Sequence, residues 1–317
     1  LGHLLIVLMP SVLWLYCAHA LAGVGGGLIL AAANRLGASL DNPDRAFAIA
    51  QLAISLGTAL TIAVIPLIVE RWGYRAHSLG LLVVFCAGAP LVALYPRAPN
   101  ETVMESVGQR PAQPVRGLPH PLLGILCLLS YALMCVGDVG VWTFMEPIGD
   151  GVGLETREVG ILLSISTVAG LCGALLAAVI GNRFGRFVPL GAALLVMAAS
   201  NVGLALAEDP ISLAASLLPQ NFIILFMTPF FLGALADLDH EGHWTMLSGV
   251  LTPIAFALGP IVFGYTASSV GYDGVGFLGA FFAITAFCAL SVTRLFPGSP
   301  MRANGASAHR IESSVSS

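Results

Sequence analysis

The sequence predicts an all-α polytopic membrane protein of about nine complete transmembrane helices and a partial one. Composition carries the first part of that prediction: 57% of the 317 residues are hydrophobic and only 9% are charged. A soluble domain carries about 25% charged residues, and mean hydropathy here is +0.90. Apolar runs of roughly 20 residues, enough to cross a bilayer as helix, recur along the chain. The arginines also fall unevenly on alternate connections, as cytoplasmic loops rich in Arg require.

In order, the complete spans are expected at 12–33, 46–69, 77–95, 121–146, 158–180, 188–207, 211–236, 245–268 and 274–295. The run at 1–9, LGHLLIVLM, is too short to span and has no charged n-region, so it reads as the end of a helix and not as a signal peptide. Connections are short except 96–120, where Pro, Gln, Asn and Arg mark a linker. The segment 296–317 is rich in Ser, Ala and Arg and is expected to be a disordered tail. Alternating the loops puts Arg35, Arg45, Arg97, Arg110, Arg116, Arg183, Arg186, Arg294, Arg302 and Arg310 on one side, with Arg71, Arg75 and Arg157 on the other. This places the linker and the C-terminus in the cytoplasm of a multi-pass cell (inner) membrane protein.

Several function classes are disfavoured. All positive charge is arginine, and it is scattered, which is no nucleic-acid footprint. The six cysteines lie inside apolar runs without a CxxC pair, and read as small buried hydrophobes with no disulfide or metal role. No His-Glu-x-x-His, Gly-x-Ser-x-Gly or phosphate-loop motif occurs, so no enzyme and no cofactor is expected. The loop 236–244, ADLDHEGHW, has metal-capable residue types but no zinc or calcium spacing, and reads as a solvated turn.

Polar residues inside the spans are the functional candidates, because burying them in hydrocarbon is costly. Asp138 is foremost, in PLLGILCLLSYALMCVGDVGVWTFMEPI. It lies about 18 residues into its span, roughly 27 Å along a helix, nearer the outer face than the midplane. His19 can hydrogen-bond a solute or pass a proton, or it is a satisfied structural histidine. Gln51, Gln220 and Asn221 bind solute or bond neighbouring helices. Trp142, with Tyr131 and Phe144, flanks Asp138; aromatics at helical spacing are more often packing or interface belt than a binding surface. Gly23 and Gly27 form a GxxxG that permits close helix approach. Pro253 and Gly259-Pro260 are kink positions in one span.

A weak internal repeat relates VERWGYRAHSLGLL to ASSVGYDGVGFLGA, about 200 residues apart, as in transporters built from parallel repeats. Five spans precede the second copy, and two with a stub precede the first. About two and a half helices are therefore expected to be missing from the N-terminus.

On these residues the chain resembles the major facilitator superfamily. The most specific mark is GNRFGRF, 181–187, which is similar to the family's loop Gly-x-x-x-Asp-Arg-x-Gly-Arg. Arg183, Gly185 and Arg186 match, while Asn182 and Ala178 stand where the acid and the first Gly are usual. AGVGGG at 22–27, the 72–75 loop, Gly259-Pro260 and Gly264 add to the likeness. The resemblance implies an incomplete N-terminal bundle at 1–95 (part of helix three, then helices four to six), a cytoplasmic linker at 96–120 and a C-terminal six-helix bundle at 121–295. It implies alternating-access transport of a small solute by a monomer in the lipid bilayer. Protons are the expected coupling partner, and Arg183, Gly185, Arg186, Gly23, Gly27, Gly259 and Pro260 would serve gating. The antiporter branch has a Gly-Pro in helix five; here that span has none, and Gly259-Pro260 occupies the equivalent helix of the second half. Two other readings remain open: a ten-helix drug/metabolite-type transporter, with a repeat near 150 residues, and a membrane-embedded enzyme or sensor.

Overall fold

The computed structural model describes residues 12–40, 43–88, 121–181, 183–239, 242–296, 299 and 301. The expected partial helix at 1–9, the linker 96–120, Asn182, His240, Glu241 and most of the segment after 296 lie outside the described residues. The helices are α1 (Val12–Ala38), α2 (Pro43–Trp72), α3 (Tyr74–Gly88), α4 (Pro121–Thr143), α5 (Met145–Gly151), α6 (Thr156–Ile180), α7 (Phe187–Ala205), α8 (Pro210–Leu238), α9 (His243–Val270) and α10 (Tyr272–Thr293). Among the described residues seven of these are long and apolar enough to cross a membrane: α1, α4, α6, α7, α8, α9 and α10. Nine complete spans are expected from the sequence; among the described residues there are ten helices, of which seven are of membrane length.

Local chemistry sets the helix ends. Asp209 caps α8, its Oδ1 accepting from the backbone N–H of Ile211 and Ser212, with Pro210 following at the first helical position. Glu155 and Glu158 form a reciprocal capping box at the start of α6. The span expected at 121–146 breaks after Thr143, at Phe144, and a separate short helix, α5, carries Glu146. Gly73 and Gly271, the paired glycines of the sequence repeat, both adopt positive φ, +78° and +96°. Each separates two helices, and the following helix starts at the matching tyrosine, Tyr74 or Tyr272. Only Gly takes that backbone without strain, so the repeat is one local structure used twice.

The chain divides into two compact units, residues 1–25 with 63–119 and residues 26–62 with 120–317. In the second, α8 packs on α6 and α7, α10 on α7 and α4, and α4 on α9. Large apolar side chains fill the seams, with Met134, Met197, Met227, Phe231 and Trp244 almost wholly buried. Phe296 and Met301, just beyond α10, pack on the same cluster. Small residues allow the closest approaches: a methyl on Gly173 would strike the Phe222 backbone, and one on Gly276 the backbone of Asn201 and Ala205. Outward faces carry apolar residues such as Ile125, Leu175, Ile261 and Phe281, the pattern lipid demands. Cys127 and Cys135 are buried as expected, but Cys17, Cys86, Cys172 and Cys288 lie on exposed faces. An exposed face in hydrocarbon accepts a thiol as readily as a core does.

Candidate functional site

Asp138 is partly buried on α4, five residues before the helix ends. Its helix turns Val136, Val139 and Gly140 toward α9, and Gly137 and Val141 toward α10. The Asp138 stripe is left to α8, and from there the Gln220 side chain faces the Asp138 carboxylate. Two residues singled out from sequence, far apart along the chain, thus meet across a helix pair. Gln220 is 2% exposed, and its Oε1 has no partner among the described residues. The neighbouring Asn221 points elsewhere: its Nδ2 donates to Ser166 Oγ on α6 at 3.0 Å. Trp142, one turn above Asp138, is half-buried and packs with the cluster around Val141, Met145 and Phe263.

Tyr131 lies two turns below Asp138. Its hydroxyl pairs with Thr252 Oγ1 on α9 at 3.2 Å, and its ring meets Phe231 of α8 edge-on at 5.7 Å. It therefore ties three helices together at the base of the stripe. His19 is exposed on α1, its Nδ1 bonded to Leu15 O of its own helix at 2.8 Å. Gln51 on α2 is half-buried.

The loop residues separate cleanly. Arg186 is 3% exposed and its Nε donates to Asp237 Oδ2 at 2.6 Å. Gly185 is buried at φ +69°, while Arg183 is exposed. The turn after α8 differs from a solvated turn: Asp239 is 5% exposed and accepts from the backbone N–H and ring Nδ1 of His243. Of the GxxxG pair only Gly27 makes a close approach, to Pro253; a methyl on Gly23 would meet open space. Gly259 abuts Val136 and Val139 of α4, the residues on either side of Asp138's level, and Pro260 follows it inside α9.

Three polar residues escaped the sequence reading. Asn34 Nδ2 donates to Ser248 Oγ at 3.1 Å, buried between α1 and α9. Asn201 on α7 is fully buried, with neither its Oδ1 nor its Nδ2 partnered among the described residues. A lone Asn inside MAASNVGLA was the available signal, by the same cost argument that raised Asp138.

Membrane-length helices that pack a carboxylate and side-chain amides between them define a polytopic membrane protein with polar groups inside its bundle. The chain belongs to the Major Facilitator Superfamily, whose family model matches residues 1–238, and it is a membrane transporter, not an enzyme. Among solved structures it is similar to the human organic anion transporter MFSD10 (TETRAN), with TM-score 0.65 and 16% identity over 91% of this chain and 74% of that one. It is also similar to FucP in the outward conformation, with TM-score 0.61 and 18% identity over 83% and 72% of the two chains. A single-substitution variant of the E. coli fucose:proton symporter FucP gives TM-score 0.61 and 17% identity over 84% and 73%. These likenesses are of fold. No curated protein matches the sequence.

Proposed function

We propose that this transporter moves a small solute by alternating access, driven by a proton gradient, with Asp138 as the proton-carrying group. The observation that carries the reading is the contact between Asp138 and Gln220. A carboxylate in a membrane helix is retained only against a polar partner or a wet cavity, and a side-chain amide can serve both its charged and its neutral form. Support comes from FucP, by name a fucose:proton symporter. In this reading Gln220 and Trp142 lie beside the solute, and His19, Gln51 and Asn221 are further polar positions on its path. Arg183, Gly185 and Arg186, with Gly23, Gly27, Gly259 and Pro260, serve the change of access. The protein acts as a monomer in the cell membrane, with linker and C-terminus cytoplasmic, as the arginine distribution supports.

The test is uptake or efflux in proteoliposomes across a panel of sugars and organic anions, with and without an imposed pH gradient. Asp138→Asn is expected to abolish gradient-driven accumulation while leaving exchange down a solute gradient. Accumulation by that variant equal to the parent removes Asp138 from coupling. An absence of gradient-driven flux for every solute in the panel removes proton-driven transport.

A further inference from the structure

α9 carries a buried row of hydroxyls, Thr245, Ser248 and Thr252, whose spacing of three and four puts them on one helix face. Each donates its hydrogen to its own helix: Thr245 to Gly242 O at 2.9 Å, Ser248 to Thr245 O at 2.7 Å and Thr252 to Ser248 O at 2.8 Å. A hydroxyl has one hydrogen, so toward neighbouring helices these oxygens can only accept. Ser248 Oγ accepts from Asn34 Nδ2 of α1 at 3.1 Å, and Thr252 Oγ accepts from the Tyr131 hydroxyl of α4 at 3.2 Å. α9 is therefore bonded from both sides.

The two sides are otherwise unlike. Toward α4, large side chains meet glycines along the helix pair: Trp244 against Gly124, Phe263 against Gly140, and Val139 against Gly259. Trp244 and Phe263 are almost wholly buried. Toward α1, among the described residues, small groups meet: Gly249 on the Ala31 backbone, Gly27 on the Pro253 ring, and Gly242 on Arg35 O. Beside them Phe47 of α2 lies against Gly37 of α1 and clusters with Leu232 and Ala236 of α8. Parting α4 from α9 would strip two large aromatic side chains of their contacts. Parting α1 from α9 would take a partner from Asn34, while Ser248 keeps its bond to Thr245 O. We propose that the α1–α9 contact is the seam that parts when the transporter changes access, with Asn34 as its catch, and that α9 stays on α4. The inference rests on the alternating-access reading and names the residues at which the change occurs.

The experiment is N-ethylmaleimide labelling of the full chain in lipid nanodiscs, in a background lacking the native cysteines. Ala31→Cys reports on the seam, and Ala174→Cys, wholly buried on α6, reports on the bundle. A hydrogen bond of the strength usual between membrane helices shifts such an equilibrium about threefold. Asn34→Ala and Ser248→Ala are each expected to label Ala31→Cys about threefold faster than the parent, and the pair together no faster than either alone. Gly249→Ala, which pushes on the Ala31 backbone, is expected to give about tenfold. Tyr131→Phe should leave the rate unchanged, and Ala174→Cys should label equally in every variant. If Ser248→Ala or Gly249→Ala does not fold, Asn34→Ala and Tyr131→Phe decide. Labelling of Ala31→Cys at the parent's rate in Asn34→Ala overturns the proposal. So does a matching rise at Ala174→Cys, which marks general loosening, or a rise in Tyr131→Phe equal to that in Asn34→Ala. Gradient-driven flux with no change in labelling would sink the seam and leave the transport reading standing. The expected labelling pattern without flux for any solute would do the reverse.

Discussion

Arg186 Nε lies 2.6 Å from Asp237 Oδ2, joining the turn before α7 to the end of α8. The family's usual loop acid is Asn182 here, yet a charged tie persists because Asp237 comes from another helix. Arg186 is buried and Asp237 is 41% exposed, so the two partners are not equivalent. Asp237→Asn keeps the shape but takes the countercharge from a buried guanidinium. A fully buried pair broken this way costs about 3–5 kcal/mol; hydration at Asp237 reduces that to about 1–2 kcal/mol. A melting temperature several degrees lower for Asp237→Asn, with little change for Arg183→Gln on the exposed side, is the expected result.

Gly173 and Gly160 lie on the same helix, and alanine should act with opposite signs at the two. A methyl at Gly173 meets the Phe222 backbone, which cannot yield, whereas Gly160 faces open space. Gly173→Ala is expected to destabilise by about 1–3 kcal/mol by forcing α6 from α8. Gly160→Ala is expected to be neutral or to stabilise by up to about 1 kcal/mol through helix propensity. Denaturation in mixed micelles reads both.

Between α1 and α9, Gly249 lies against the Ala31 backbone, and the Asn34–Ser248 hydrogen bond closes the contact one turn away. Such bonds between membrane helices average only about 0.6 kcal/mol, so the close approach at Gly249 should matter more than the bond. In a background lacking the native cysteines, Asn34→Cys with Ser248→Cys is expected to crosslink under mild oxidation. Adding Gly249→Leu should reduce crosslinking by about tenfold or more, since a side chain there must push α1 from α9. Gly23→Leu, at a position with open space, should not.

Asp209 offers a pH test outside the membrane. The Ser212 and Ile211 backbone N–H groups hold its carboxyl below the ordinary carboxylate value. A group whose folded value is depressed adds stability in full above its unfolded value, about pH 4, and loses it as pH falls through the folded value. Asp209→Ala should therefore melt lower than the parent at neutral pH, with the gap narrowing as the pH is taken below the ordinary carboxylate value of about 4. Asp209→Asn, which can still cap, should recover much of the loss at neutral pH. A gap unchanged between the two conditions would contradict the capping account.

The class of protein was legible because hydrocarbon imposes a coarse rule: an apolar run long enough to span must be helix, since no water satisfies its backbone. Asp138 and Gln220 stood out by that rule, each being polar inside such a run. Gln220 and Asn221 could not be told apart, because adjacent residues on a helix point about 100° apart and the bundle decides which faces α4. The fourth helix ends at Thr143 and not at the expected Glu146, because Phe144 and Met145 are as apolar as the span before them and hide the break.

By itself the sequence determined the solvent, the helices, the paired breaks at Gly73 and Gly271, and the polar residues that hydrocarbon would not admit without cause. Tertiary structure alone decided which of them meet: Gln220 with Asp138, Asn221 with Ser166, Arg186 with Asp237, and Asn201 with no partner among the described residues. The physical reason is that apolarity and helix breaking are local properties of a chain in lipid. Which faces come together depends on helix rotation and on where glycines let backbones touch, as at Gly173, Gly249 and Gly276.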